Sequence, residues 1–176
     1  PSIPVVIEHV RGGKLRMMTS GAAPLANEVH IFFEAIGMTI IEGYGLTETC
    51  APLACNTLED NHFHTVGRAL PNCEVKLGKD NELLVRGANV FVGYYNNEEA
   101  TKDAFDADGF FKTGDIAEID EEGYIRITDR KKDIIITGGE NVFPVEIEDF
   151  FHAHPKIKDV AAIGLALVVR AMGSPS

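Results

Sequence analysis

The stretch Glu42-Gly43-Tyr44-Gly45-Leu46-Thr47-Glu48-Thr49 follows an apolar run, Met38 to Glu42, that reads as a strand. In α/β proteins ligands settle beyond the carboxyl ends of strands. The residue types here suit a nucleotide. Gly43 and Gly45 let backbone approach a ligand closely, and Tyr44 offers a flat face to a purine. Thr47 offers a hydroxyl to a phosphate oxygen, and Glu48 is a hard oxygen ligand of the kind Mg²⁺ takes. Spacing alone favours a plainer reading, a glycine-rich turn around one buried tyrosine.

Upstream, Leu15 to Thr19 reads as a buried strand that ends at Ser20-Gly21. Pro24 then opens a helix whose Leu25, Val29, Phe32, Phe33 and Ile36 fall at helical spacing. Strand, helix and strand joined by short turns predict an α/β layer with a parallel pair. Ser20-Gly21-Ala22-Ala23-Pro24, at the first of those turns, clears room for a flat ring against the backbone, or is simply a tight turn.

Downstream of Gly67 the texture changes to short strands: Glu74 to Leu77, a turn at 78 to 81, Glu82 to Arg86, Phe111 to Ile119 and Tyr124 to Thr128. This predicts a small antiparallel sheet or barrel. One helix interrupts it, with Asn97 as N-cap and Glu98 and Glu99 in its first turn, where they suit the positive end of the dipole. Phe111-Lys112-Thr113-Gly114-Asp115 places a carboxylate after a strand and a glycine. There Asp115 can accept two hydrogen bonds from a ribose diol, although any surface aspartate fits the same spacing.

The polar run Asp129-Arg130-Lys131-Lys132-Asp133 marks a domain boundary. Arg130 can pair with phosphate or ribose there, while a solvated hairpin turn is the plainer account. Beyond it, Ile134 to Thr137 reads as a strand, Gly138-Gly139 as a turn, and Pro144 opens a helix with Ile147, Phe150, Phe151 and His154 on one face. Ile157 to Leu165 reads as a further strand. The expected division is 1–64 (α/β), 65–128 (β-rich), 129–133 (linker) and 134–176 (a further partial domain).

Composition narrows the function classes. With 176 residues, 45% of them hydrophobic, the chain has the material for a real core. Its net charge of −11 repels nucleic-acid and lipid phosphates, so no nucleic-acid partner is expected. Cys50, Cys55 and Cys73 form neither a disulfide framework nor a zinc site, which points to a reducing, cytoplasmic setting. The longest apolar run, Val160 to Val169, is too short to span a bilayer. His62-x-His64 and His152-x-His154 lack a third ligand. Asp106-x-Asp108-Gly109 departs from a calcium loop at Ala104 and Asp115, and Cys50 is read as packing.

Taken in order, Ser-Gly-Ala-Ala-Pro-Leu, Gly-Tyr-Gly-Leu-Thr-Glu-Thr, Val-Gly-Arg-Ala-Leu-Pro, Glu-Leu-Leu-Val-Arg-Gly, Phe-Lys-Thr-Gly-Asp, Asp-Arg-Lys-Lys-Asp and Gly-Gly-Glu-Asn-Val-Phe-Pro-Val-Glu-Ile-Glu resemble the adenylate-forming superfamily, and within it the AMP-forming acyl-CoA synthetases. The resemblance runs from about Leu15 to Gly164. It implies a fold made of the later part of the large domain, an α/β layer with a β-rich subdomain, followed by the start of the small α+β domain. It also implies ATP or AMP, Mg²⁺ and coenzyme A as cofactors, with a fatty or other hydrophobic carboxylic acid as substrate. On that likeness Ala22, Ala23 and Tyr44 frame the adenine, Gly21, Gly43 and Gly45 are further cofactor-binding residues, Thr47 meets phosphate, and Glu48 holds Mg²⁺. Asp115 and Arg130 bind the ribose, Lys132 is the hinge, and Gly138 and Gly139 line the pantetheine path.

Pro1-Ser2-Ile3-Pro4 enters an apolar stretch without an initiator Met, and the chain is expected to be a piece of a longer one. The family's phosphate loop is expected before Pro1 and its adenylation lysine after Ser176. The competing expectations are a non-catalytic nucleotide-binding module and a luciferase-like adenylate former. Self-association through apolar surface is a further expectation.

Overall fold

In the computed structural model the described residues are Gly12, 14–131, 133–137, 140–152, 154, 156–157 and 160–163. Within them the backbone divides into two compact units, one up to Thr128 and one from Asp129 onward.

The first unit begins with β1 (Met18–Ser20), α1 (Asn27–Ala35) and β2 (Ile40–Leu46). β1 pairs in parallel with the first half of β2, Met18 opposite Ile40 and Ser20 opposite Glu42, as strand-helix-strand spacing requires. β1 is shorter than the expected Leu15–Thr19 strand. Leu15 and Met17 are exposed, and only from Met18, whose N–H meets the Thr39 carbonyl at 2.9 Å, does β2 lie alongside. α1 starts three residues beyond Pro24, because Ala26 is still extended, with ψ 132°, while the preceding Leu25 N–H is received by the Glu42 carboxylate at 3.2 Å. Its C-terminus closes on Gly37, whose φ of +74° lets the chain turn out of the helix. The buried side chain of α1 is His30, with Phe33 half-buried, while Val29 and Phe32 of the expected stripe are exposed.

β2 does not stop at Glu42. It runs on through the glycine-rich motif, turning from parallel pairing with β1 to antiparallel pairing with β3 (Ala51–Cys55), with an irregularity between Tyr44 and Gly45. β3 in turn pairs with the short β4 (Arg68–Ala69), giving the sheet order β1-β2-β3-β4. A second sheet, ordered β5-β6-β7-β8, comprises Cys73–Leu77, Glu82–Gly87, Phe111–Ile119 and Ile125–Arg130. α2 (Glu98–Ala104) sits between β6 and β7, and Asn97 Oδ1 accepts the Ala100 N–H at 3.0 Å as its cap.

One apolar cluster serves both sheets: Leu53 and Ala54 of β3 meet Leu83 and Val85 of β6, Phe111 and Ala117 of β7, and Ile125 of β8. Full burial of such a side chain stabilises by about 1.5–3 kcal/mol. The sheets are also joined along the backbone. The Val66 N–H reaches the Ile125 carbonyl at 2.8 Å, and the Ile125 N–H returns to Gly67 at 3.0 Å.

In the second unit β9 (Ile135–Thr137) and β10 (Glu140–Val142) form an antiparallel hairpin, and α3 (Pro144–His152) begins on its proline. The expected strand over Ile157 to Leu165 is not formed at the described residues 157 and 160–163. The Ala162 N–H bonds instead to the Glu148 carboxylate of α3, at 2.9 Å. Among the described residues no helix is long and apolar enough to cross a membrane.

Candidate functional site

The site is laid out by β2 and by what lies against it. Gly21, just past β1, is so close to β2 that a Cβ there would stand 3.2 Å from the Gly43 carbonyl oxygen. The following Ala22 adopts φ +68°, a left-handed conformation costing an alanine about 1–2 kcal/mol, and Ala22 and Ala23 are both exposed. Behind this turn the buried Glu42 carboxylate accepts the Leu25 N–H and stands 3.7 Å from His30 Nδ1. Desolvation holds the Glu42 carboxyl above the ordinary carboxylate range, against the opposing pull of the Leu25 N–H, His30 and His64.

Tyr44 and Asp115 meet across the unit. The phenol donates to Asp115 Oδ2 at 2.5 Å, over a sequence separation of 71 residues. Asp115 is aimed by a bulge in β7: Leu84 pairs with Lys112 but Glu82 pairs with Ile116, so the intervening Thr113-Gly114-Asp115 stands out of register. Gly114 supplies the φ of +75° that the bulge needs. Its N–H is received by the buried Glu82 carboxylate at 3.2 Å, and the Thr113 hydroxyl donates to the Leu83 carbonyl at 2.8 Å while accepting the Asp115 N–H at 3.1 Å. Gly43 fits β3 without demanding a glycine, since a Cβ there would make ordinary contacts of 3.5 Å with Ala54 and Cys55. Gly45 pairs with Pro52 beside the irregularity in β2.

Thr47 and Glu48 occupy a 3₁₀ turn, Thr47–Thr49, between β2 and β3. Thr47 is exposed and Glu48 half-buried. The buried Thr49 fastens the turn, its hydroxyl accepting the Leu46 N–H at 2.9 Å, and Asn89 Nδ2 donates to the Thr49 carbonyl at 3.1 Å. The Tyr94 phenol donates to Glu48 Oε1 at 3.0 Å. Burial, then the hydrogen bond to that carboxylate, lifts the Tyr94 phenol above its ordinary range, so it is a protonated donor at neutral pH. Cys50 ends the turn in the left-handed region at φ +52° and is exposed rather than packed.

Arg130 is the last residue of β8, beyond the Thr128 boundary that the strand crosses, and its N–H is bonded to Asp129 Oδ1 at 2.6 Å. Lys132, Gly138 and Gly139 lie outside the described residues. Glu42, Glu82 and Tyr94 were not singled out by sequence reading. Each acts on a partner far along the chain, and no local spacing signals that. The other polar clusters have structural work. His62 stacks on Tyr124 at 3.8 Å, and Asp106 Oδ1 accepts the N–H groups of Asp108 and Phe110.

Residues 6–95 match the family described as AMP-binding enzyme. Over 154 residues the chain is 47% identical to the long-chain-fatty-acid–CoA ligase FadD15 of Mycobacterium bovis, a match covering 87% of this chain and 26% of that protein. A long-chain-fatty-acid–CoA ligase of Escherichia coli O157:H7 is 41% identical over 164 residues, covering 86% of this chain and 29% of its own length. The chain thus spans between a quarter and a third of the curated relatives it matches. Among solved structures, ATP-bound MatB from Rhodopseudomonas palustris superposes with a TM-score of 0.77 at 39% identity, over 84% of this chain and 32% of that one. O-succinylbenzoate coenzyme A synthetase from Bacillus subtilis, in complex with ATP and magnesium ion, gives a TM-score of 0.77 at 28% identity, over 92% and 37%. The ordered motifs and the family match across Tyr44 and Glu48 agree, and the chain belongs to the family of AMP-binding enzymes.

Proposed function

We propose that the chain carries the adenylate-binding part of an AMP-forming acyl-CoA synthetase, an acid–thiol ligase that turns ATP, a carboxylic acid and coenzyme A into acyl-CoA, AMP and pyrophosphate. The observation that supports this best is the Tyr44–Asp115 hydrogen bond, which puts an aromatic face and a carboxylate from two separate motifs side by side. A nucleoside asks for that pair, a flat surface for the base and acceptors for the ribose diol.

In this reading Gly21, Ala22, Ala23, Gly43, Tyr44 and Gly45 frame the adenine, with the close approach of Gly21 to β2 keeping the floor free of side chains. Asp115 and Arg130 hold the ribose, and Thr47 meets phosphate. Glu48 is the residue that would hold Mg²⁺. A half-buried carboxylate, next in sequence to the Thr47 hydroxyl, is the hard-oxygen chemistry that ion takes alongside phosphates. When bound, Mg²⁺ offsets negative charge on the phosphates. The substrate carboxylate attacks the α-phosphorus, the bond to the bridging oxygen breaks, and pyrophosphate leaves. The thiol of coenzyme A then attacks the acyl carbon and AMP departs. No covalent bond to the protein forms, so its residues contribute position and charge complementarity. Lys132 is assigned to the hinge between the two half-reactions, and Gly138 and Gly139 to the coenzyme A path.

A fatty or other hydrophobic acid is the proposed substrate, in keeping with the names of the mycobacterial and enterobacterial relatives, and the cytoplasm is the proposed compartment. Val29, Ile31 and Phe32 lie exposed on α1, and copies of the chain are expected to associate through them, which concentration-dependent sedimentation checks. The substrate assignment is tested by titrating the chain with a non-hydrolysable fatty-acyl-adenylate analogue and its aminoacyl counterpart. Tighter binding of the fatty analogue is expected, and equal binding of the two counts against a hydrophobic acid.

A further inference from the structure

Between β6 and α2 the chain makes an irregular run, Phe91-Val92-Gly93-Tyr94-Tyr95, that no sequence motif assigned. It touches Glu48 twice. The Phe91 N–H donates to the Glu48 carbonyl at 2.7 Å, and the Tyr94 hydroxyl donates to the Glu48 carboxylate at 3.0 Å. Backbone and side chain of one residue are thus fixed by the same short segment.

That segment is itself braced. The Tyr94 N–H is received by Thr101 Oγ1 at 2.9 Å, and the Thr101 hydroxyl donates to the Asn97 carbonyl at 2.8 Å, which ties the run to the capped start of α2. Gly93 makes the approach possible: a Cβ there would fall 2.5 Å from Thr101 Cγ2, at a φ of +149° that side chains rarely adopt. Phe91 anchors the other end, 5.4 Å from the Phe111 ring and 4.9 Å from that of Tyr94. Val92 and Tyr95 on either side are almost wholly exposed, whereas Tyr94 is 40% exposed, its ring against Phe91 and its hydroxyl on Glu48.

We infer that Tyr94 is a positioning residue for Glu48, holding its carboxylate in one rotamer so that it is preorganised for the cation that accompanies the ATP phosphates. The inference rests on the proposed role of Glu48. A glutamate on a three-residue turn has several rotamers open to it, and fixing one before the ligand arrives removes an ordering cost from binding. Groups that hydrogen-bond a metal-binding carboxylate typically change metal affinity 10–100-fold. A purely packing role makes a different prediction, because phenylalanine keeps the ring on Phe91.

The test is calorimetric titration of the chain with Mg·ATP and, separately, with AMP in the absence of metal, for wild type, Tyr94→Phe, Glu48→Gln and the double variant. The expected result is that Tyr94→Phe weakens Mg·ATP binding about 10-fold and leaves metal-free AMP binding unchanged. Glu48→Gln weakens Mg·ATP binding at least as much, and adding Tyr94→Phe to it changes nothing further. If Glu48→Gln is weakened but Tyr94→Phe binds Mg·ATP like wild type, the inference about Tyr94 fails while the role of Glu48 stands. If Glu48→Gln also binds like wild type, or wild type does not bind Mg·ATP, the role of Glu48 fails and takes the inference with it. Equal loss of AMP and Mg·ATP binding in Tyr94→Phe means Tyr94 supports the pocket as a whole, which overturns the inference too.

Discussion

Glu42 sits one residue before the glycine-rich motif and is nearly inaccessible, yet it carries a carboxylate. Its role is mechanical, since it ties the turn at Leu25 and the helix at His30 to β2. Because desolvation raises its pKa in the folded chain, the native state holds the proton more tightly than the unfolded state does. Stability from this group therefore falls as pH rises from its unfolded value, about 4.3, through the raised folded value. Glu42→Gln keeps an oxygen for the Leu25 N–H and removes the titration. Urea unfolding at pH 4.5 and pH 7.5 should show the wild type losing midpoint relative to the variant at the higher pH, and a gain would contradict this. Asp60 runs the opposite way. The Tyr124 hydroxyl and then Arg68 hold its pKa below the ordinary range, so its contribution is present above the unfolded value and lost as pH falls.

At the scale of the element, the bulge in β7 carries the most consequence, since it aims Asp115. Gly114 within it and Gly109 just before β7 have nearly the same φ, +75° and +79°, and neither has an atom within 4 Å of where a Cβ would go. Alanine at either position should cost about 1–2 kcal/mol of stability through backbone strain alone. Only Gly114→Ala should weaken AMP binding, because only there does the strain relax by shifting Asp115. Thermal unfolding with parallel AMP titration separates the two effects, and equal AMP affinity in both variants would refute the link. This bulge was not legible in the sequence. β7 itself was, end to end, as was the start of α2, because the turns that punctuate the strands and the Asn97 cap with Glu98 and Glu99 are local signals. The second half of β2 was misread as a turn. Two glycines suppress strand propensity, and the pairing that overrides them comes from β3, which itself contains Pro52. Likewise Tyr44, Glu48 and Asp115 were visible as motifs, but Tyr94 and Glu82 were not, since their partners lie 46 and 32 residues away.

Across the first unit as a whole, the two sheets are joined by their shared apolar cluster and by a narrow backbone seam at Val66 and Gly67. Gly67 has φ +81°, and a Cβ there would land 2.1 Å from the Cys55 carbonyl carbon, a backbone atom with nowhere to move. Gly67→Ala should therefore cost on the order of 4 kcal/mol and separate β3 from β8, read as loss of a cooperative unfolding transition. A wild-type transition in that variant would show that the seam is dispensable. The seam matters to function because it sets the sheet bearing Tyr44 against the sheet bearing Asp115, whose side chains meet there. The most direct measurement is calorimetric titration of AMP into wild type, Asp115→Ala and the more conservative Asp115→Asn. Saturable binding by wild type is expected, with at least a 10-fold loss in both variants, about 1.4 kcal/mol, and the Asn variant still folded. AMP affinity that is the same in all three, or absent from a folded wild type, would contradict it.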